Sequence, residues 1–135
     1  MLSIPGIGPA TAAVVLAAIG DPHRFTSAKQ VLKLAGLDLS ASRSGKNAAQ
    51  VTPRLSKKGK AKLRYALYQS ALIASYRNKY FIEYFIRLLS GREREKGIKT
   101  KMRVKMASKI LVIAWTLLKS GEMFQGEHLL NSKVR

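Results

Sequence analysis

The stretch Leu2-Ser3-Ile4-Pro5-Gly6-Ile7-Gly8-Pro9-Ala10-Thr11-Ala12-Ala13-Val14-Val15-Leu16-Ala17-Ala18-Ile19-Gly20 decides the reading of this chain. Its first half is turn chemistry. Gly6 and Gly8 let the backbone bend sharply and approach another group closely. Pro9 suits a first helical turn, and Gly20 suits the position just past a helix end. Between them lie Ala, Val, Leu and Ile, so the spacing predicts a small-residue helix over Pro9 to Ile19. A tight hairpin feeding a helix N-terminus presents backbone N–H groups and the positive end of a helix dipole, which together attract a phosphate. Residues 4–20 therefore resemble the hairpin of a helix-hairpin-helix element, with Gly6, Ile7, Gly8 and Thr11 as candidate phosphate contacts. Such contacts position nucleic acid without reading its sequence. The first helix of that element is expected before Leu2, which reads the chain as part of a longer protein.

Moving outward, Asp21-Pro22 breaks the first helix. A second short helix is predicted from Ser27 to Ala35, capped by Thr26 or Ser27 and stopped by Gly36. From Leu37 to Leu55 helical periodicity fails, and Ser40, Ser42, Ser44, Gly45, Asn47 and Pro53 are turn formers. This segment reads as a long functional loop, with Gln50 to Thr52 able to join a small hairpin. Ser56 reads as the N-cap of a third helix whose apolar face is Leu63, Ala66, Leu67, Ser70, Ala71 and Ala74. A fourth helix is expected over Lys79 to Leu89 and a fifth over Lys101 to Lys119, separated by a charged connector. The fold class is thus all-α with about five helices and one long basic loop between the second and third. Residues 1–124 form one domain, and 125–135 form a polar, frayed tail.

Charge narrows the function. The chain has 135 residues, with 25 Lys and Arg against 7 Asp and Glu, a formal net charge of +18. A domain this basic repels itself and is suited to a polyanion. The signs are also segregated. No acid lies between Asp38 and Glu83, an interval that contains Arg43, Lys46, Arg54, Lys57, Lys58, Lys60, Lys62 and Arg64. A second basic stretch runs from Arg92 to Lys109. Solvated helix faces normally mix signs. The absence of cysteine excludes disulfides and thiol chemistry, and the two histidines and scattered acids predict no metal site in this chain. No apolar run is long enough for a membrane span, so neither a membrane nor a membrane-surface partner is expected.

Within the acid-free interval, Ser44-Gly45 places a hydroxyl beside a residue that permits close approach to a phosphate. A serine nucleophile needs a base or a metal to take its proton, and none stands nearby in sequence. The residues alone therefore read Ser44 as a turn residue or a phosphate-contacting hydroxyl. Leu55-Ser56-Lys57-Lys58-Gly59, with Lys60 and Arg64 following, sets cations around a helix start and forms a second candidate phosphate site. Tyr65 and Tyr68 follow on the same helix. They could stack on bases, although tyrosines at this spacing also serve as core or rim residues.

In this order the motifs resemble one family: the Piv-type DNA invertases and the related insertion-sequence transposases that use a bridge RNA. The resemblance spans about Leu2 to Phe124. It rests on Ile4 to Gly8 with the helix that follows, Gly20-Asp21-Pro22 with Phe25, Gly36-Leu37, Ser44-Gly45, Leu55 to Gly59, Leu63-Arg64 and the final helix through Ala107 and Lys109. The chain departs at Leu39, where a proline is usual. The resemblance implies a C-terminal domain whose serine, here Ser44, attacks a DNA phosphate to form a covalent phosphoserine link. It also implies a RuvC-like N-terminal domain, outside these residues, whose four acids bind magnesium. Implied partners are DNA, a guide RNA, that N-terminal domain and further copies of the full-length protein. The implied setting is the cytoplasm of a prokaryote, acting at the nucleoid. The isolated chain is expected to bind nucleic acid without cleaving it.

Two other readings compete. A helix-hairpin-helix DNA glycosylase requires an acid soon after the hairpin helix. Beyond Asp21 there is none before Asp38. A non-enzymatic nucleic-acid-binding module fits composition and charge equally well, and Ser44-Gly45 in its setting is what separates it from the transposase reading.

Overall fold

Six α-helices order the described residues of the computed structural model, which are 1–40, 54–55 and 60–131. Helix α1 spans Pro9–Ile19, α2 Ala28–Ala35, α3 Ala61–Arg77, α4 Lys79–Leu89, α5 Ile98–Ser120 and α6 Gly126–Asn131. A 3₁₀ turn, Pro22–Arg24, joins α1 to α2. The five helices expected from sequence are all present, and the fold is all-α. The only extended structure among the described residues is a two-residue antiparallel pair, β1 (Leu39–Ser40) with β2 (Arg54–Leu55). In register, Leu39 pairs with Leu55, and Ser40 with Arg54. The hairpin expected at Gln50 to Thr52 lies outside the described residues.

The helix ends follow local chemistry. Ser27 Oγ accepts from Gln30 N–H at 3.4 Å, while Gln30 Oε1 accepts from Thr26 N–H at 2.8 Å. This reciprocal arrangement is a variant of the capping box. At the other end Gly36 takes a left-handed conformation, φ 69°, and Leu37 N–H reaches back to the Leu32 carbonyl. That is a Schellman stop, which turns Leu37 into the core. Asn78 ends α3 and begins α4. Its N–H donates to Ala74, and its side-chain oxygen accepts from Tyr80 and Phe81 N–H. One residue thus satisfies orphan groups of two helices and sets the corner between them.

Helix α5 is the spine, lying against α2, α3 and α4, while α1 packs on α3. The core draws Val15 and Ile19 from α1, Val31 from α2, Leu63 and Leu67 from α3, Phe81 from α4 and Met106, Ile110 and Leu111 from α5. Trp115 Nε1–H donates to the Pro22 carbonyl at 2.8 Å, fastening the turn after α1 to the spine. Arg24 caps the end of α1, donating to the carbonyls of Ala18 and Ile19 at 2.9 Å each.

Two expectations are corrected. Helix α3 begins at Ala61 with Lys60 at its cap position, not at Ser56, which lies outside the described residues. The start is fixed by tertiary bonds: Lys60 N–H donates to the Leu34 carbonyl at 2.8 Å, and Arg64 Nη1 donates to the Ala35 carbonyl at 3.1 Å. The segment after Gln125 is not frayed through Asn131. It forms α6, which buries Leu129 and packs on α4. Arg87 Nη1 donates to the Leu130 carbonyl at 2.8 Å, and Tyr80 Oη–H donates to Glu127 at 3.4 Å. Among the described residues no helix is long and apolar enough to cross a membrane.

Candidate nucleic-acid interface

The hairpin is built as its residues require. Ile7 N–H donates to the Ile4 carbonyl at 3.2 Å, closing a turn with Pro5 and Gly6 at its corners. Gly6 has φ 85°, the conformation a type II turn demands at that position. Ile4 and Ile7 are buried and anchor the turn. The two glycines then differ in what they do. A Cβ at Gly6 would stand 2.4 Å from the Ser70 carbonyl oxygen on α3, so its close approach is to the protein itself. Gly8 is exposed, has nothing within 4 Å of its absent Cβ, and holds the N-cap position of α1 with no side-chain cap. Thr11 sits half-buried in the first turn. The outward-facing part of the motif is therefore Gly8 and the opening of α1.

The second cluster lies at the start of α3. Lys60 is exposed. Arg64 is half-buried, and its bond to Ala35 holds the guanidinium against the end of α2. Among the described residues, the first turn of α3 has neither an acidic residue nor a side-chain cap at Lys60. Of the other candidates, Arg54 has its backbone in β2, and Ser44, Arg43, Gly45, Lys46, Ser56, Lys57 and Lys58 lie outside the described residues. The hairpin meets α3 at Ser70 and Ala74. Ten residues separate Ser70 from Lys60, roughly 15 Å along the helix. The two candidate clusters are thus held apart on one rigid element rather than merged into one pocket.

Between α3 and α5 runs a groove of about 340 Å³ lined by Leu37, Ala61, Arg64, Tyr65, Tyr68, Val104 and Ala107. Sequence reading raised Tyr65 and Tyr68 but not their partners on α5, which only the long-range packing of the two helices brings opposite. The second basic stretch is partly spoken for. Arg92 makes a two-pronged ion pair with Glu95, at 2.8 and 3.0 Å, and this holds the Glu95 carboxyl below its ordinary range. Arg103 donates to Ser75 and Tyr76 and lies over the rings of Tyr76 and Phe85. Burial, with Arg92 nearby, pushes the Lys105 ammonium below the usual lysine value.

Among the described residues no three His, Asp or Glu side chains come together to hold a metal ion.

Fold and charge together define a basic, all-helical domain in which a glycine-bearing hairpin opens α1 and Lys60 and Arg64 stand at the start of α3. The family model for the transposase IS116/IS110/IS902 family matches residues 1–85, and the chain belongs to that family. It is also similar to two curated proteins called pilin gene-inverting protein. The one from Moraxella bovis is 32% identical over 126 residues, and the one from Moraxella lacunata is 31% identical over the same length. Each match covers 92% of this chain and 37% of the relative. The chain thus spans little more than a third of the length of these relatives.

Proposed function

We propose that this chain is the DNA-handling part of a transposase or DNA invertase, and that Ser44 is its nucleophile. The observation that carries this reading is family membership joined to the charge pattern: a recombinase-family chain that concentrates its cations, with no acid, in the interval containing Ser44. The β1–β2 pair supports it. Ser40 and Arg54, which bracket the segment bearing Ser44 in sequence, are paired in β1–β2, and Lys60 and Arg64 follow. In the proposed step the serine hydroxyl gives up its proton and forms an Oγ–P bond. A P–O bond to the sugar breaks, and the departing oxygen takes up a proton. Magnesium belongs, on this reading, to a domain outside these residues, with a guide RNA and further protomers as partners of the full-length protein.

The test uses the full-length protein on DNA bearing its recombination sites. Wild type should yield a covalent protein–DNA adduct, and Ser44→Ala should abolish adduct and recombinants together while DNA binding persists. Recombination at the normal rate by Ser44→Ala would overturn the assignment and direct attention to Ser40, Ser42 and Ser56. A chain that binds DNA but never forms an adduct in the full-length setting would favour the non-enzymatic reading.

A further inference from the structure

We propose that the groove between α3 and α5 receives one unstacked nucleobase, so that this domain grips DNA where a base has left the duplex stack. The inference rests on the DNA-handling role proposed above and adds to it a contact with a base rather than a phosphate.

The groove has the make-up such a contact needs. Its volume, about 340 Å³, falls at the small end of the ligand-pocket range, about 300–1,000 Å³. Its walls are apolar or aromatic except for Arg64. Tyr65 is 67% exposed, which leaves its ring accessible to a stacking partner. Tyr68, one helical turn on, is half-buried, so the two rings form a wall that is open at one end and set into the fold at the other. Arg64 offers a planar guanidinium whose position is fixed by its bond to Ala35, and such a plane can stack on a base or donate to its edge. Leu37, Val104 and Ala107 close the apolar floor.

Charge selects a nucleotide over an apolar peptide. A base arrives with a phosphate on either side, and Lys60 and Lys62 stand exposed at the same end of α3. On α5, Lys101 lies one turn before Val104 on the same face. The next acid after Asp38 is Glu83. An apolar slot with a cationic rim is what single-stranded binding surfaces use: aromatic stacking for the base, lysines for the backbone.

The test measures, by fluorescence anisotropy at fixed moderate salt, the binding of this chain to two end-labelled single-stranded oligonucleotides of equal length. One carries thymine at every position, and the other has abasic sites at its centre, leaving its phosphates unchanged. Wild type should prefer the base-bearing strand by about five- to hundred-fold, the range expected for one stacked base. Tyr65→Ala should erase most of that preference while leaving affinity for the abasic strand as it was, and Tyr65→Phe, which keeps the ring, should restore it. Tyr65 is exposed, so loss of fold does not account for the change, and an unchanged thermal transition verifies this. Equal affinity of wild type for the two strands would overturn the groove proposal while leaving phosphate binding intact. Binding to neither strand would overturn both this inference and the DNA-handling role.

Discussion

Gly6 lies directly against the backbone of Ser70, with room for no side chain between the hairpin and α3. Two constraints coincide there. The φ of 85° disfavours any residue with a Cβ, and the added atom would meet the Ser70 carbonyl at 2.4 Å. Ser70 is itself buried, so the contact lies inside the fold. Gly6→Ala should destabilise the domain by about 2–4 kcal/mol, combining backbone strain with overpacking. Urea unfolding measures it. A loss below about 1 kcal/mol would mean that the hairpin does not bear on α3 in this way.

Gly126 presents the same logic at the other end of the chain. A Cβ there would collide with the Tyr80 ring, and the atom concerned is ring carbon rather than the flexible end of a side chain. Gly126→Ala should therefore loosen α6 from α4, while α3, α4 and α5 keep their packing against one another. Limited proteolysis should cut the variant near Glu127 to Asn131 well before wild type, while the main thermal transition moves little. Equal resistance to cleavage would count against the docking of α6.

Lys105 is held below the ordinary lysine value, about 10.4, chiefly by burial and then by repulsion from Arg92. The sign follows from linkage. The unfolded chain holds this proton more tightly than the folded one, so Lys105 opposes folding while it is charged in both states. That opposition fades as pH rises from the folded value toward the unfolded one. Lys105→Met should raise the melting temperature at neutral pH, and the gain over wild type should shrink as pH approaches the ordinary lysine range. A gain that is constant with pH would assign the effect to packing alone.

Much of this fold was legible because its signals are local. Pro5-Gly6, Ser27 and Gly36 act on their own neighbours, and the amphipathic face Phe81, Tyr84, Phe85 and Leu88 shows its spacing plainly. What sequence reading misplaced depends on distant partners. The start of α3 is set by Leu34 and Ala35 across the turn, and α6 is held by Tyr80 and Arg87, more than forty positions away. The candidate site divides in the same way. The basic interval and the hairpin were visible as composition and motif. Gly6 facing inward, Arg64 bound to Ala35 and the groove shared with Val104 and Ala107 were not, because each needs a second helix to define it.

Gly8 allows structure and binding to be separated, because one substitution should move them in opposite directions. It occupies the N-cap of α1 in extended geometry, φ −92° and ψ −177°, with no side chain to cap the helix and open space where a Cβ would go. Asp is among the preferred N-cap residues, and that geometry suits it. Gly8→Asp should therefore stabilise the domain by a few tenths of a kcal/mol to about 1 kcal/mol, by satisfying an orphan N–H and opposing the helix dipole. The same carboxylate would sit where a phosphate is proposed to bind and would repel it, so affinity for duplex DNA should fall several-fold at low salt. Lys60→Gln should weaken binding without that stabilisation. The hairpin packs on α3 at Ser70, roughly 15 Å along the helix from Lys60, so the double variant should show losses that add. Rising stability with unchanged affinity in Gly8→Asp would remove the hairpin from the DNA-binding surface and leave the start of α3 as the phosphate contact.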